Sequence, residues 1–589
     1  MRSGILFNLN CLVAAITSVT AASLSTRTCS VSTTPSVKLS QGTVNGFSDQ
    51  NSNVDLFLGI PYAKPPVGDL RFKKPVPVDQ DANKVIEATS FGATCYQGGS
   101  RFNLSEDCLF VNVFRPSGVD ANQKLPVLLW IYGGAFLSGS TSTYNATNIV
   151  AESVRAGNPI IFASVNYRLN AFGFLASEEI AKASKTGDAT LNAGLWDQRL
   201  GMRWLQENIR DFGGDPKKVT IYGESAGAIS ASIHLLANGG NQEGLFRAAI
   251  LQSGSPASGT IIKPDHPQVE KNYAGLSALV GCQDGGHNYS STLECLRNVE
   301  APKLLNATST LGAQSMTVAP PVNYLINFPV IDGYFFTDRP TKMIAKGEIA
   351  DVPIITGDCL DEGTNFTPSG LVNETVFKTW FEDFAVAYPN DTNAKAVLEK
   401  TFELYPDEPA QGSPFNNPAT NVSAGSVDPN NRFYQPASTN QFKRGAALWG
   451  DYIFQGSRRV VLKGAIHKGR KSSKKVWTYL FSQRDIGVSR DAQGAYHGSD
   501  VVYIFGNTPQ RNSTGLVDSL HKTMLRSWIS FTHHLDPTKI DQLNWPVYDQ
   551  KSKAMIQFKG ENVTLIKDDY REEAISYLVS EEASAVYAL

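Results

Sequence analysis

Residues Val219 to Leu236 read VTIYGESAGAISASIHLL. Ser225 stands between Gly223 and Gly227, where β-favouring residues give way to small, helix-compatible ones. That is the pattern of a nucleophile elbow, a tight strand-to-helix turn in which the serine takes a strained backbone conformation and the glycines let strand and helix approach. A capping serine at a helix N-terminus is the alternative reading. The chemistry an elbow permits is attack of the hydroxyl on an acyl carbon. It needs a base for the hydroxyl proton, an acid to orient the base, and N–H donors for the developing oxyanion.

Around an elbow of this kind the chain order is serine, acid, histidine. Of the eight histidines, His497 lies in GAYHGSD, between glycines and downstream of the β-rich run Val476 to Phe481. His467 sits in the basic run KGAIHKGRKSSKK, which reads as a solvated face, and His521, His533 and His534 fall on or at the end of a helical stretch. The acid should follow a strand between serine and histidine. The run Val352 to Thr356 leads into GDCLDEGT, which offers Asp358, Asp361 and Glu362, and spacing does not choose among them. The loop Gly133-Gly134-Ala135-Phe136, after the apolar run PVLLWIY, is a source of N–H donors to join the one following Ser225.

These groups must be held by a scaffold. Near-continuous apolar runs at Pro126 to Tyr132, Pro159 to Val165, Val219 to Tyr222, Ala248 to Gln252, Val352 to Thr356 and Val476 to Phe481 predict strands of a sheet covered on both faces. Helical stretches such as Leu195 to Ile209 and Leu516 to His533 alternate with them, so the class is α/β. Pro406 to Gln441, rich in Pro, Asn, Ser and Gly, reads as a surface excursion within one domain.

The whole chain narrows the function classes. With 589 residues, 53 basic against 55 acidic side chains and a net charge of -2, it has no electrostatic footprint for nucleic acid or an anionic membrane. Residues 1–22 carry Arg2, an apolar stretch and Thr20-Ala21-Ala22, a secretory signal cleaved near Ala22, and no later segment has the 18 or so apolar residues of a transmembrane span. Sequons at Asn103, Asn145, Asn288, Asn306, Asn365, Asn373, Asn390, Asn421, Asn512 and Asn562 suit an exported glycoprotein. Cys95 with Cys108, and Cys282 with Cys295, are close pairs that an oxidising compartment favours as disulfides, leaving Cys29 and Cys359 unassigned. Neither CxxC nor HExxH occurs, so no metal is expected.

The blocks GIPYAKPPVGDLRF, SEDCLFVNVF, WIYGGAF, NYRLNAFGFL, GLWDQR, GESAGA, LQSGS, DEGT and HGSD occur in order from about residue 35 to 550. Together the sequence resembles the type-B carboxylesterase/lipase family, which includes cholinesterases and fungal lipases. The resemblance implies an α/β-hydrolase fold over residues 23–589 as a single domain: a large, mostly parallel central sheet, helices on both faces and long loop insertions. It implies Ser225 as nucleophile, Glu362 as acid, His497 as base, and the N–H groups of Gly134, Ala135 and Ala226 as oxyanion hole, with no cofactor. Ala135 stands where a third glycine is commoner. Both cysteine pairs match family bridges, Arg71 with Glu106 and Arg168 with Asp197 match structural ion pairs, and Glu224 falls in a buried polar network behind the serine. Relatives without the triad act in adhesion, but here serine, acid and histidine are all present.

The loop between Cys95 and Cys108 bears on the substrate. A choline-binding relative carries a tryptophan there to hold the quaternary ammonium; YQGGSRFNLSED has none. Twelve residues with Gly98-Gly99 are also too few to form an amphipathic lid helix. The expectation is a secreted esterase with an open gorge, acting on dissolved, uncharged small to medium esters, with triacylglycerol lipase as the alternative.

Overall fold

Leu125–Ile131 (LPVLLWI) is buried at every position, as are Ile161–Val165 and Ala248–Gln252. Strands facing solvent on one side would alternate; these are covered on both. The computed structural model describes residues 34–99, 102–286, 288–317, 328–368, 370–388, 391–415, 441–466, 475–484, 493–506 and 517–589. Among them, eleven strands form the central sheet: β1 Phe47–Asp49, β2 Val54–Pro61, β3 Phe110–Pro116, β4 Leu125–Ile131, β5 Ile161–Val165, β6 Gly214–Glu224, β7 Ala248–Gln252, β8 Ile354–Cys359, β9 Val476–Phe481, β10 Ala554–Lys559 and β11 Asn562–Lys567. Their spatial order is β11-β10-β9-β8-β7-β6-β4-β5-β3-β2-β1.

Pairing is parallel from β5 through β4, β6, β7, β8 and β9 to β10, and antiparallel at both margins. The parallel strands all end on the same side of the sheet, and the loops after β4, β6, β8 and β9 carry the candidate residues named above. Helices α1 (Ala193–Asn208), α2 (Ala226–Gly240) and α3 (Asp518–His534) pack against β6. The runs expected as strands are all found. Val219 to Tyr222 extends back to Gly214, and Val352 to Thr356 shifts to Ile354–Cys359.

A second apolar cluster surrounds Trp380, Trp449, Tyr452 and Tyr587, from helices Glu374–Ala385, Phe442–Gly450 and Glu581–Tyr587 and the π-helical turn Asp451–Gln455 that continues the second of them. Disulfides Cys95–Cys108 and Cys282–Cys295 are formed, with Cα–Cα separations of 5.0 and 5.5 Å, and Cys359 is a buried free thiol. Arg71–Glu106 and Arg168–Asp197 pair at 2.5 and 2.7 Å. Residues 35–589 make one compact unit, and no described helix is long and apolar enough to cross a membrane. The expected signal segment with Ala22, Cys29, His467 and the sequons at Asn390, Asn421 and Asn512 lie outside the described residues. The start of the expected surface excursion is partly internal: Ser413 is buried, and its hydroxyl donates to Asp361 at 2.9 Å.

Candidate active site

Strand β6 ends at Glu224 and α2 begins at Ala226, so one residue makes the turn. Ser225 has φ 56° and ψ −130°, a conformation that L-residues avoid at a cost of about 1–3 kcal/mol. Its side chain makes no capping hydrogen bond to the first turn of α2, which removes the alternative of a capping serine. The glycines are explained by contact. A Cβ on Gly223 would lie 2.3 Å from the carbonyl carbon and oxygen of Gly227, and one on Gly227 would lie 2.0 Å from the carbonyl oxygen of Ile131 in β4. The elbow is tied to the next strand by the Ser225 N–H, which donates to the Gln252 carbonyl at 2.9 Å.

The loop after β4 presses on this turn from the other side. A Cβ on Gly133 would meet the Glu224 carbonyl at 2.5 Å and the Ser225 Cβ at 2.8 Å. Gly134, Ala135 and Phe136 follow with φ of 111°, 56° and 59°, a left-handed run in which two members are not glycine. Ala135 and Ala226 line the same pocket as Ser225.

The three carboxyl groups among which spacing left the acid open differ in their partners. Asp358 is buried in an ion pair with Arg458 at 2.8 Å, and Arg458 also holds Asp568. Asp361 accepts from Ser413 Oγ at 2.9 Å and from the N–H groups of Phe415 and Ala495 at 2.7 and 2.9 Å. Glu362 alone of the three meets the histidine: its Oε2 lies 2.5 Å from His497 Nδ1, while Oε1 accepts from the Cys359 N–H at 2.7 Å. His521, by contrast, has Nδ1 2.9 Å from the Tyr503 carbonyl, a structural contact.

The His497 ring packs against Phe366 and Phe454, with centroids 4.9 and 4.6 Å away. Its Nε2 is buried without a hydrogen-bond partner and lies 3.4 Å from Glu224 Oε1. Burial opposes the imidazolium, but the charges of Glu362, Glu224 and Asp500 outweigh it and push His497 up to about 9. Glu224 is itself pushed up to about 7, by burial first and then by repulsion from Asp500 and Glu362, against the attraction of His497. Behind it, Asp500 Oδ2 accepts from Gln252 Nε2 and the Tyr479 hydroxyl at 2.7 and 2.8 Å. No sequence pattern signals this Gln252–Asp500 link; LQSGS and HGSD contain its members, but only the fold brings them together.

Five rings, Phe328, Phe366, Phe384, Trp449 and Phe454, wall the pocket over Ser225, with Ile229, Ile453 and Thr260, and no charged side chain is among its described lining residues. It encloses about 660 Å³ of empty space, its open mouth included. No group of three described His, Cys, Asp or Glu side chains is placed to hold a metal ion. Of the sequons, Asn103, Asn145, Asn288, Asn306 and Asn373 are exposed, whereas Asn365 is half-buried beside His497.

A serine elbow at the end of a parallel strand, with a glutamate–histidine pair supplied by later strands in that order, defines an α/β-hydrolase. Comparison with known proteins agrees. The model of the carboxylesterase family matches residues 33–578, and the chain belongs to that family. It is 35% identical to Lipase 2 of Geotrichum candidum over 562 residues, covering 89% of this chain and 91% of that one. It is 34% identical to Secreted lipase 1 of Botryotinia fuckeliana, covering 93% of each. The crystal structure of Aspergillus niger EstA superposes with a TM-score of 0.77 at 28% identity, covering 94% of this chain and 99% of that one. The protein is therefore a hydrolase of the carboxylesterase family.

Proposed function

We propose that the protein is a secreted serine carboxylesterase working through Ser225, His497 and Glu362 by way of an acyl-enzyme. The observation that carries this reading is the 2.5 Å contact between Glu362 and His497 Nδ1. In the neutral ring Glu362 holds the proton on Nδ1, so Nε2 carries the lone pair and acts as the base, and the raised pKa of His497 makes activity rise with pH as that neutral form appears.

His497 takes the Ser225 proton as Oγ bonds to the ester carbonyl carbon. The carbonyl oxygen gains the negative charge and is held by the N–H groups of Gly134, Ala135 and Ala226, which the close approach of the β4 loop to the elbow supports. The imidazolium, stabilised by Glu362, returns its proton to the departing alkoxide, which leaves as the alcohol. Water then attacks the acyl-enzyme by the same route and frees the acid and Ser225.

The uncharged, ring-walled pocket supports small to medium, uncharged esters as substrates. The names of the fungal relatives favour a second reading, triacylglycerol lipase. Secretion, with residues 1–22 as a cleaved signal and 23–589 as the mature single domain, is supported by the two formed disulfides and by a relative named as secreted. The test is Ser225→Ala: purified and folded, as judged by near-ultraviolet circular dichroism, it should lose p-nitrophenyl butyrate hydrolysis. Substantial remaining turnover would remove Ser225 as nucleophile.

A further inference from the structure

The turn bearing the acid and the loop bearing the base are laced together along their length. The Asp361 N–H donates to the Ala495 carbonyl at 2.9 Å, and the Ala495 N–H returns to Asp361 Oδ2 at 2.9 Å. Thr364 Oγ1 lies 3.0 Å from the Gln493 carbonyl and shares its proton between that oxygen and the Asp361 carbonyl at 2.8 Å. Gln493 Nε2 donates to Asn365 Oδ1 at 3.0 Å, and Asn365 Nδ2 donates to the His497 carbonyl at 3.1 Å. Of these bonds, the last reaches His497 itself.

Glu362 and Asn365 are the first and last residues of one 3₁₀ turn, Glu362–Asn365. Residues three apart in a 3₁₀ turn eclipse, so the two side chains project to the same side. One takes the ring of His497 at Nδ1; the other takes its backbone at the carbonyl. Ring and main chain of the base are thus held from a single short element, fixing where Nε2 stands relative to Ser225.

Asn365 is also a sequon residue, and here the geometry opposes glycosylation. Both ends of its amide are engaged within the protein. Thr367, the hydroxyl residue of that sequon, is buried and donates its Oγ1 to the Gly363 carbonyl at 2.9 Å. A glycan attached to the unfolded chain would place its first sugar on the nitrogen that serves His497.

We propose that Asn365 is a positioning residue for His497 and that its sequon stays bare in the active enzyme. The inference rests on the Ser225–His497–Glu362 reading. The test uses the full secreted protein as wild type, Asn365→Ala, the isosteric Asn365→Asp, and Thr367→Val, which removes the sequon but leaves the clasp. Active sites are counted by stoichiometric inactivation with diethyl p-nitrophenyl phosphate; kcat per counted site and KM are measured with p-nitrophenyl butyrate across pH; tryptic peptides covering residue 365 are weighed.

Wild type should show an unmodified Asn365, and Thr367→Val should match it in kcat. Asn365→Ala should lose about tenfold in kcat per counted site, with KM within about twofold. Asn365→Asp keeps the acceptor for Gln493 but loses the donor, so its kcat should also fall; the new carboxylate should move the acid limb of its kcat/KM profile to higher pH. Wild-type kcat per counted site in either Asn365 variant would overturn the positioning role even if thermal stability fell, since a merely structural residue alters only the number of sites. A glycan at Asn365 in the inactivated fraction would overturn the bare sequon. Failure of the phosphate ester to inactivate the wild type would instead sink the underlying triad.

Discussion

Glu362 and His497 meet at 2.5 Å although they stand 135 positions apart in the chain. The pair exists because β8 and β9 are parallel neighbours, Ile354 to Cys359 lying opposite Val476 to Phe481, so the segments that leave them emerge side by side.

Glu362→Gln should lower kcat by about three to four orders of magnitude, as an amide cannot stabilise the imidazolium or fix its tautomer. Asp361→Asn should cost activity only through the loop contacts it makes, and Asp358→Asn only through stability. Steady-state kinetics on the three variants decides the assignment, and Asp361→Asn proving the most damaged would refute it.

Glu224→Gln should shift the acid limb of the kcat/KM profile to lower pH. The carboxylate 3.4 Å from Nε2 favours the imidazolium and helps hold His497 near 9. Without that charge the imidazolium is less stable, the pKa falls, and the neutral base persists into more acidic solution. An unmoved limb would show that Glu224 is protonated in the working enzyme, and a raised one would refute the effect of its charge on His497.

Trp449 is wedged between Phe384, with ring centroids 3.9 Å apart, and Trp380, stacked at 5.4 Å, at the wall of the Ser225 pocket. Trp449→Ala should lower thermal stability, since buried Trp→Ala changes cost about 3–5 kcal/mol. It should also raise kcat/KM for p-nitrophenyl octanoate relative to butyrate by about tenfold, because the space released admits a longer chain. A preference unchanged from wild type would place the chain elsewhere.

Esterase and lipase separate on tributyrin. With the Cys95–Cys108 loop too short for a lid helix, the rate should follow ordinary saturation through the solubility limit. A steep rise on emulsion formation, with good activity on long-chain triglycerides, would establish the lipase reading.

The parts of the site legible in sequence were those whose constraint is local. The elbow could be read because Gly223 and Gly227 answer to contacts made within one strand-turn-helix unit. The strands could be read because burial on both faces leaves unbroken apolar runs. The margins gave weaker signals: β10 and β11 are antiparallel, and β10 alternates in burial along part of its length. The acid was undetermined by spacing because Asp358, Asp361 and Glu362 are all buried, and only their partners, Arg458, Ser413 and His497, distinguish them. Asn365 looked like an ordinary sequon because a three-residue pattern carries no record of the loop folded against it. The ring-walled pocket was invisible for the same reason, its rings coming from Phe328, Phe366, Phe384, Trp449 and Phe454.

The dispersal of the site over four strands has a kinetic consequence. Gly134 follows β4, Ser225 follows β6, Glu362 follows β8 and His497 follows β9, so under the proposed mechanism no fragment or half-assembled sheet contains a working set. Contacts of such long sequence separation close late in folding. On dilution from denaturant, recovery of helical circular dichroism should run ahead of recovery of turnover, and hydrolytic activity becomes an assay for the final registration of the whole parallel array rather than for its parts.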